Sequence, residues 1–165
     1  MFREIVTKAV IGKGKISNIS TVIVTTSNSV SKILGCWVIN HYYVSSYEDG
    51  KVLAKGRYDL HLWYGFNGDT DTFLHKQTID YIEEFSVRMK NNEAVSLDNE
   101  FLIRNNKYPT CNGLSLNEDG TISVKIEKEL NLDVIGETKL RVNVSDVEEI
   151  SDDLDSINVN YLSKE

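Results

Sequence analysis

The stretch Lys51-Val52-Leu53-Ala54-Lys55-Gly56-Arg57-Tyr58-Asp59-Leu60-His61-Leu62-Trp63-Tyr64-Gly65-Phe66 decides how the chain must fold. Val52, Ala54, Tyr58, Leu60, Leu62, Tyr64 and Phe66 share one phase of a two-residue period, and Lys55, Arg57, Asp59 and His61 share the other. Successive side chains of a strand point to opposite faces, so this pattern marks a strand with one buried side. The stretch predicts one long strand or a bent pair.

The same signal spreads in both directions. Residues 34–44 carry aromatic and β-branched residues in both phases, which predicts a central strand buried on both faces, with Cys36 and Trp37 inside. Between the two stretches, Ser45-Ser46-Tyr47-Glu48-Asp49-Gly50 supplies hairpin residues. Further strands are expected at residues 20–26, at 72–89 with a break, and at 100–105, 112–116, 121–129 and 138–144. Glu118-Asp119-Gly120 forms a tight turn between two of them. Seven to eight strands punctuated by turns predict an all-β, mainly antiparallel fold, a β-sandwich or open barrel. One segment departs from the pattern. Phe2, Ile5, Val6, Ala9 and Val10 fall at helical spacing and predict a short amphipathic helix, although residues 6–11 read equally well as an edge strand.

The 165 residues suffice for one domain with its own core, and 41% apolar with 26% charged residues is ordinary for a globular protein. No apolar run approaches the ~20 residues that span a bilayer, and the N-terminus lacks a leader pattern, so a cytoplasmic protein without membrane insertion is expected. Cys36 and Cys111 lack paired spacing and read as small buried hydrophobes in a reducing compartment; a later disulfide stays open if the protein ends outside a cell.

Charge is polarised along the chain. From Ser145 onward seven acids face one lysine, so this end carries −6 of the net −7. The first 32 residues, with Lys8, Lys13 and Lys15, carry +4. The expected organisation is a β-rich domain over residues 1–144 and an acidic, flexible tail over 145–165, where Ile150, Leu154, Ile157, Val159, Tyr161 and Leu162 form a sticky segment of the kind that orders on binding. A near-neutral body with an acidic tail argues against nucleic acid.

Motifs for chemistry are weak. His41, His61 and His75 lack zinc-ligand spacing, so no metal is expected; His41 reads as a hydrogen-bonded core or interface residue and His61 as solvated. Ser29-Val30-Ser31-Lys32 has the S-x-x-K pattern without its partner motifs, and Gly12-Lys13-Gly14 lacks the rest of a phosphate-binding fingerprint. Gly68-Asp69-Thr70-Asp71 resembles half a calcium loop but has Asp80 at the twelfth position, which favours a plain turn. Glu83-Glu84 and Asp152-Asp153 are adjacent carboxylates, expected on solvated surface. No catalytic residue and no cofactor emerges, so an enzyme is not expected. The densest feature is aromatic: Trp37, Tyr42, Tyr43, Tyr58, Trp63, Tyr64, Phe66 and Tyr81. Half must fill the core, and Trp37, Tyr43 and Trp63 would make an association patch if their faces turn outward.

The run Ile33-Leu34-Gly35-Cys36-Trp37-Val38-Ile39-Asn40-His41, preceded by Arg3-Glu4-Ile5-Val6-Thr7-Lys8-Ala9-Val10, resembles the signature of the CotE family of spore-forming Firmicutes. Gly56-Arg57-Tyr58-Asp59 with Trp63-Tyr64, Pro109-Thr110-Cys111 and Val134-Ile135-Gly136-Glu137-Thr138-Lys139 agree in order, so the resemblance covers residues 1–144. It implies a structural morphogenetic protein, made in the mother-cell cytoplasm during sporulation and ending in the spore coat. Such a protein self-assembles, rests on an inner ATPase-based scaffold and recruits other coat proteins. Family members usually carry a longer, denser acidic tail. With Lys8, Lys13 and Lys15 at one end and Asp152, Asp153 and Asp155 at the other, a tail reaching a neighbour's N-terminal segment would link copies. The alternative is a small-ligand-binding module with its ligand between the sheets.

Overall fold

A computed structural model describes residues 1–143; the tail expected from Ser145 lies outside them. Seven strands form the fold: β1 (Phe2–Val24), β2 (Val30–Glu48), β3 (Lys51–Phe66), β4 (Asp71–Glu84), β5 (Ser86–Met89), β6 (Glu100–Leu116) and β7 (Ile122–Asn143). They make two antiparallel sheets, β5-β1-β7-β6 and β2-β3-β4, so the sandwich is realised rather than the barrel.

β3 is one continuous strand whose buried side chains, Val52, Ala54, Tyr58, Leu60, Leu62 and Tyr64, fall at alternate positions as expected. Its facing partner is β7, where Ile122, Val124, Ile126, Leu130, Leu132 and Val134 are buried in the same rhythm. The interior divides into two apolar clusters. One holds Val24, Tyr58, Leu60, Leu62, Ile122, Val124 and Ile126. The other holds Ile11, Ile16, Val52, Ala54, Phe85, Leu130, Leu132 and Val134.

The hairpin at Asp49 and Gly50 has both residues at positive φ, the geometry that matches the twist of two strands. At the β6–β7 turn only Gly120 is left-handed, and the Asp119 carboxylate accepts hydrogen bonds from the backbone N–H and hydroxyl of Thr121. The expected break in residues 72–89 falls at Phe85, whose buried ring separates β4 from β5. The pairs expected as separate strands on either side of residues 105 and 129 are each continuous, as β6 and β7.

Two expectations are corrected. The N-terminal helix does not form, because residues 2–10 pair one for one with 135–143 of β7. Ile5, Val6, Thr7, Val10 and Ile11 are β-branched and suit the extended partner, and a bulge between Val10 and Gly12 breaks the period-two rhythm, so the apolar spacing imitates a helix. β2 is an edge strand, not a central one. Three register shifts along it, at Val30/Lys32, Ile33/Gly35 and Ile39/Tyr42, change which phase faces inward. Inward residues run Ile33, Cys36, Val38, then His41, Tyr43 and Tyr47, so both phases contain large side chains although each face is used only in part.

Candidate functional site

At the midpoint of β7, between Ile126 and Leu130, the inward position is Lys128, only 1% exposed. Its ammonium donates to Glu83 Oε1 at 2.6 Å and Asn18 Oδ1 at 3.1 Å, and lies 4.4 Å from the centre of the Tyr81 ring. The other strands meet it at the same level. Asn18 comes from β1, His41 and Tyr43 from β2, Tyr58 from β3, Tyr81 and Glu83 from β4, and Asn105 from β6. On β3 the inward position beside Tyr81 is Gly56, where a Cβ would collide with the Tyr81 ring; the missing side chain makes room for the phenol. A polar layer thus separates the two apolar clusters.

His41 joins the sheets through this layer. Its Nε2 is 2.7 Å from Tyr81 Oη and its Nδ1 is 3.2 Å from Asn105 Nδ2. The amide nitrogen can only donate, so Nδ1 accepts and Nε2–H donates to the phenol oxygen. Burial, with the nearby Lys128 charge, lowers the His41 pKa to about 4, so the ring is neutral at physiological pH. Burial, then the Glu83 carboxylate, pushes the Tyr81 phenol upward. Tyr58 is raised too, first by burial, while a hydrogen bond with Ser20 opposes the shift. Among the described residues Glu83 Oε2 and Asn105 Oδ1 are buried acceptors without a protein partner. Turning the Asn105 amide end for end would set its oxygen against His41 Nδ1–H, with Tyr81 then donating to Nε2.

A buried ammonium without its carboxylate is strongly unfavourable, so the layer is satisfied only when the two sheets face each other in one alignment. It works as a register device for the sandwich. No group of three or more His, Cys, Asp or Glu suited to a metal occurs among the described residues.

The sequence did not single out Lys128, although a lysine in phase with six buried aliphatics was the available signal. Glu83, expected with Glu84 on solvated surface, instead turns inward to Lys128. His41 is hydrogen-bonded and half-buried as expected, and His61 is half-buried beside Trp37, its ring 5.8 Å away, rather than solvated. Gly68-Asp69-Thr70 is a plain turn with Asn67, Gly68 and Asp69 at positive φ, and Ser31 of the S-x-x-K run donates to Asp69 at 2.6 Å.

The expected association residues separate. Trp37 and Trp63 lie on the outer face of the three-stranded sheet, 40% and 42% exposed. Tyr43 is half-buried with its ring 5.2 Å from His41, part of the polar layer. Lys8 and Lys15 hold intramolecular ion pairs, each 2.6 Å, with Glu100 and Glu129. Lys13 is exposed on β1. Asp152, Asp153 and Asp155 lie outside the described residues.

A second surface was not foreseen. Among the described residues β6 joins β7 only from Ile135 downward and β5 joins β1 only at residues 12–15, so residues 2–9 and 136–143 form a two-stranded ribbon that extends past these neighbours. Val6 is 60% exposed on it, and Phe2 lies under Arg141 at 4.6 Å. A lone two-stranded ribbon is marginal in water, and its unpaired N–H and C=O groups are a template for another strand.

No helix among the described residues is long and apolar enough to cross a membrane. Comparison with curated proteins and with solved structures finds no match. The family model described as outer spore coat protein E (CotE) matches residues 1–165, thus including the acidic segment beyond the resemblance seen in the sequence. With an all-β sandwich and this match along its whole length, the chain belongs to the outer spore coat protein E (CotE) family.

Proposed function

We propose that the chain is a structural morphogenetic protein of the outer spore coat that self-assembles and recruits other coat proteins onto an inner ATPase-based scaffold around the forespore, without catalysing a reaction. It would be made in the mother-cell cytoplasm and end in the coat. The observation that carries this reading is the overhanging ribbon, a pair of strands with no further strand beside them among the described residues and with Val6 exposed. Trp37 and Trp63 on the outer sheet face offer a second contact area, and the exposed Lys8, Lys13 and Lys15 offer cations to an acidic segment of a neighbour. Surface ion pairs such as Lys8–Glu100 are weak in water, so a neighbour's carboxylates can exchange into them.

Microscopy of a fluorescent fusion during sporulation tests the proposal. The expected image is a shell around the forespore, with client coat proteins displaced when residues 146–165 are removed. A diffuse mother-cell signal, or normal coat assembly in its absence, would contradict it. The small-ligand alternative draws on the buried acceptors Glu83 Oε2 and Asn105 Oδ1. It predicts a monomer at all concentrations.

A further inference from the structure

Cys36 and Cys111 come from different sheets, yet they belong together. Cys36 lies on β2 opposite Leu62 and Cys111 on β6 opposite Ile126, and both pack on the cluster of Val24, Tyr58, Leu60, Leu62, Ile122, Val124 and Ile126. β2 and β6 are edge strands of their sheets, and they meet along one side of the sandwich. Ser45 Oγ donates to the Phe101 carbonyl at 3.5 Å, and Asn105 Nδ2 donates to His41 Nδ1 at 3.2 Å. Moving along β2 from Ser45 to His41 to Cys36, the partners on β6 move from Phe101 to Asn105 to Cys111. The steps are four and five residues on one strand and four and six on the other, as an antiparallel seam requires. The third rung sets the Cys36 and Cys111 side chains against each other over the same apolar cluster. Cys111 Sγ also contacts the Gly113 carbonyl oxygen at 3.8 Å.

We propose that Cys36 and Cys111 are a cross-link site, closing into one intramolecular disulfide that ties the two sheets when the folded chain meets a small disulfide oxidant. One protein sulfur attacks the oxidant and releases one small thiol, and the second protein sulfur then displaces the first from the mixed disulfide. Two S–H bonds break, one protein S–S bond forms, and the oxidant leaves as two thiols carrying the two electrons and two protons. Both residues are half-buried, at a seam between edge strands rather than in the centre of a sheet. Burial, then the neighbouring Cys111 side chain, pushes the Cys36 thiol up to about 12, so Cys36 rests as a thiol at neutral pH. The reduced chain needs no bond to fold, since the cluster and the polar layer already hold the sheets.

The test is incubation of the full chain with oxidised glutathione under native conditions, followed by intact-mass measurement, peptide mapping and thermal melting. The expected result is loss of both thiols with loss of two hydrogens in mass, a Cys36–Cys111 peptide, a monomer-sized band without reductant, and a melting temperature higher by about 5–15 °C that dithiothreitol reverses. Cys36→Ser or, should that variant not fold, Cys111→Ala should lose the gain in melting temperature. Stable glutathione adducts, bonds only between chains, or thiols that react only after denaturation would each overturn the proposal.

Discussion

β7 passes through two regions that differ in almost everything except their strand geometry. Over residues 122–134 its inward side chains are buried between the sheets, and Lys128 among them is matched by Glu83, Asn18 and Tyr81. Over residues 136–143 the same strand pairs, among the described residues, with β1 alone. The first region satisfies its polar groups within the chain and so specifies one fold. The second leaves its edge without a further strand among the described residues, the feature on which the proposed association rests.

The largest effect should come from unbalancing the polar layer. Glu83→Ala or Lys128→Ala leaves a charge without its buried partner and should cost about 3–5 kcal/mol in urea denaturation. The paired change Lys128→Met with Glu83→Leu should recover most of that loss. If each single change costs under about 1 kcal/mol, water rather than the layer solvates these groups.

Acid should act next, through His41. Its pKa is about 4 in the folded state against 6.5 ordinarily, so between those values the unfolded chain binds the proton first. The His41 contribution is therefore unchanged above about pH 6.5 and falls as the pH drops towards 4, by about 1–3 kcal/mol. Denaturation midpoints at pH 7 and 4.5 for the wild type and His41→Gln should show a smaller acid loss in the variant. Equal losses would place the His41 ring in solvent.

The outer sheet face should respond least in stability. Leu60→Ala, at a fully buried position, should cost about 2–5 kcal/mol, and Trp37→Ala, with its ring partly in solvent, about 1 kcal/mol. This revises the expectation of a deeply buried Trp37. Equal effects at the two positions would mean that the outer face is covered.

Much of this architecture was legible where the pleat is regular. β3 alternates without a bulge, so its buried set could be read from Val52 to Tyr64 directly. β2 could not be placed, because three register shifts move the inward phase and fill both phases with large residues. The N-terminal strand misled for the same reason at Val10/Gly12, with a partner 125 or more residues away that no local window contains. The polar layer was hidden differently: each member is unremarkable on its own strand, and only pairing across the sheets shows that Asn18, His41, Glu83, Asn105 and Lys128 stand at one level. Exposure of Trp37 and Trp63 was foreseen as one option, but inclusion of Tyr43 was not testable without the bulge that turns it towards His41.

The central claim is that the sandwich is complete alone and that the ribbon joins copies. Sedimentation velocity of the full chain and of Val6→Lys, over a wide concentration range and at low and high salt, tests it most directly. A lysine on an exposed edge strand opposes strand addition while a surface change of this kind shifts stability by only about 0.5 kcal/mol. The account predicts large, concentration-dependent species for the wild type at both salts and a monomer with an unchanged melting temperature for the variant. Identical distributions for the two proteins would contradict it, and oligomers that dissolve at high salt would assign the contact to Lys8, Lys13 and Lys15 instead.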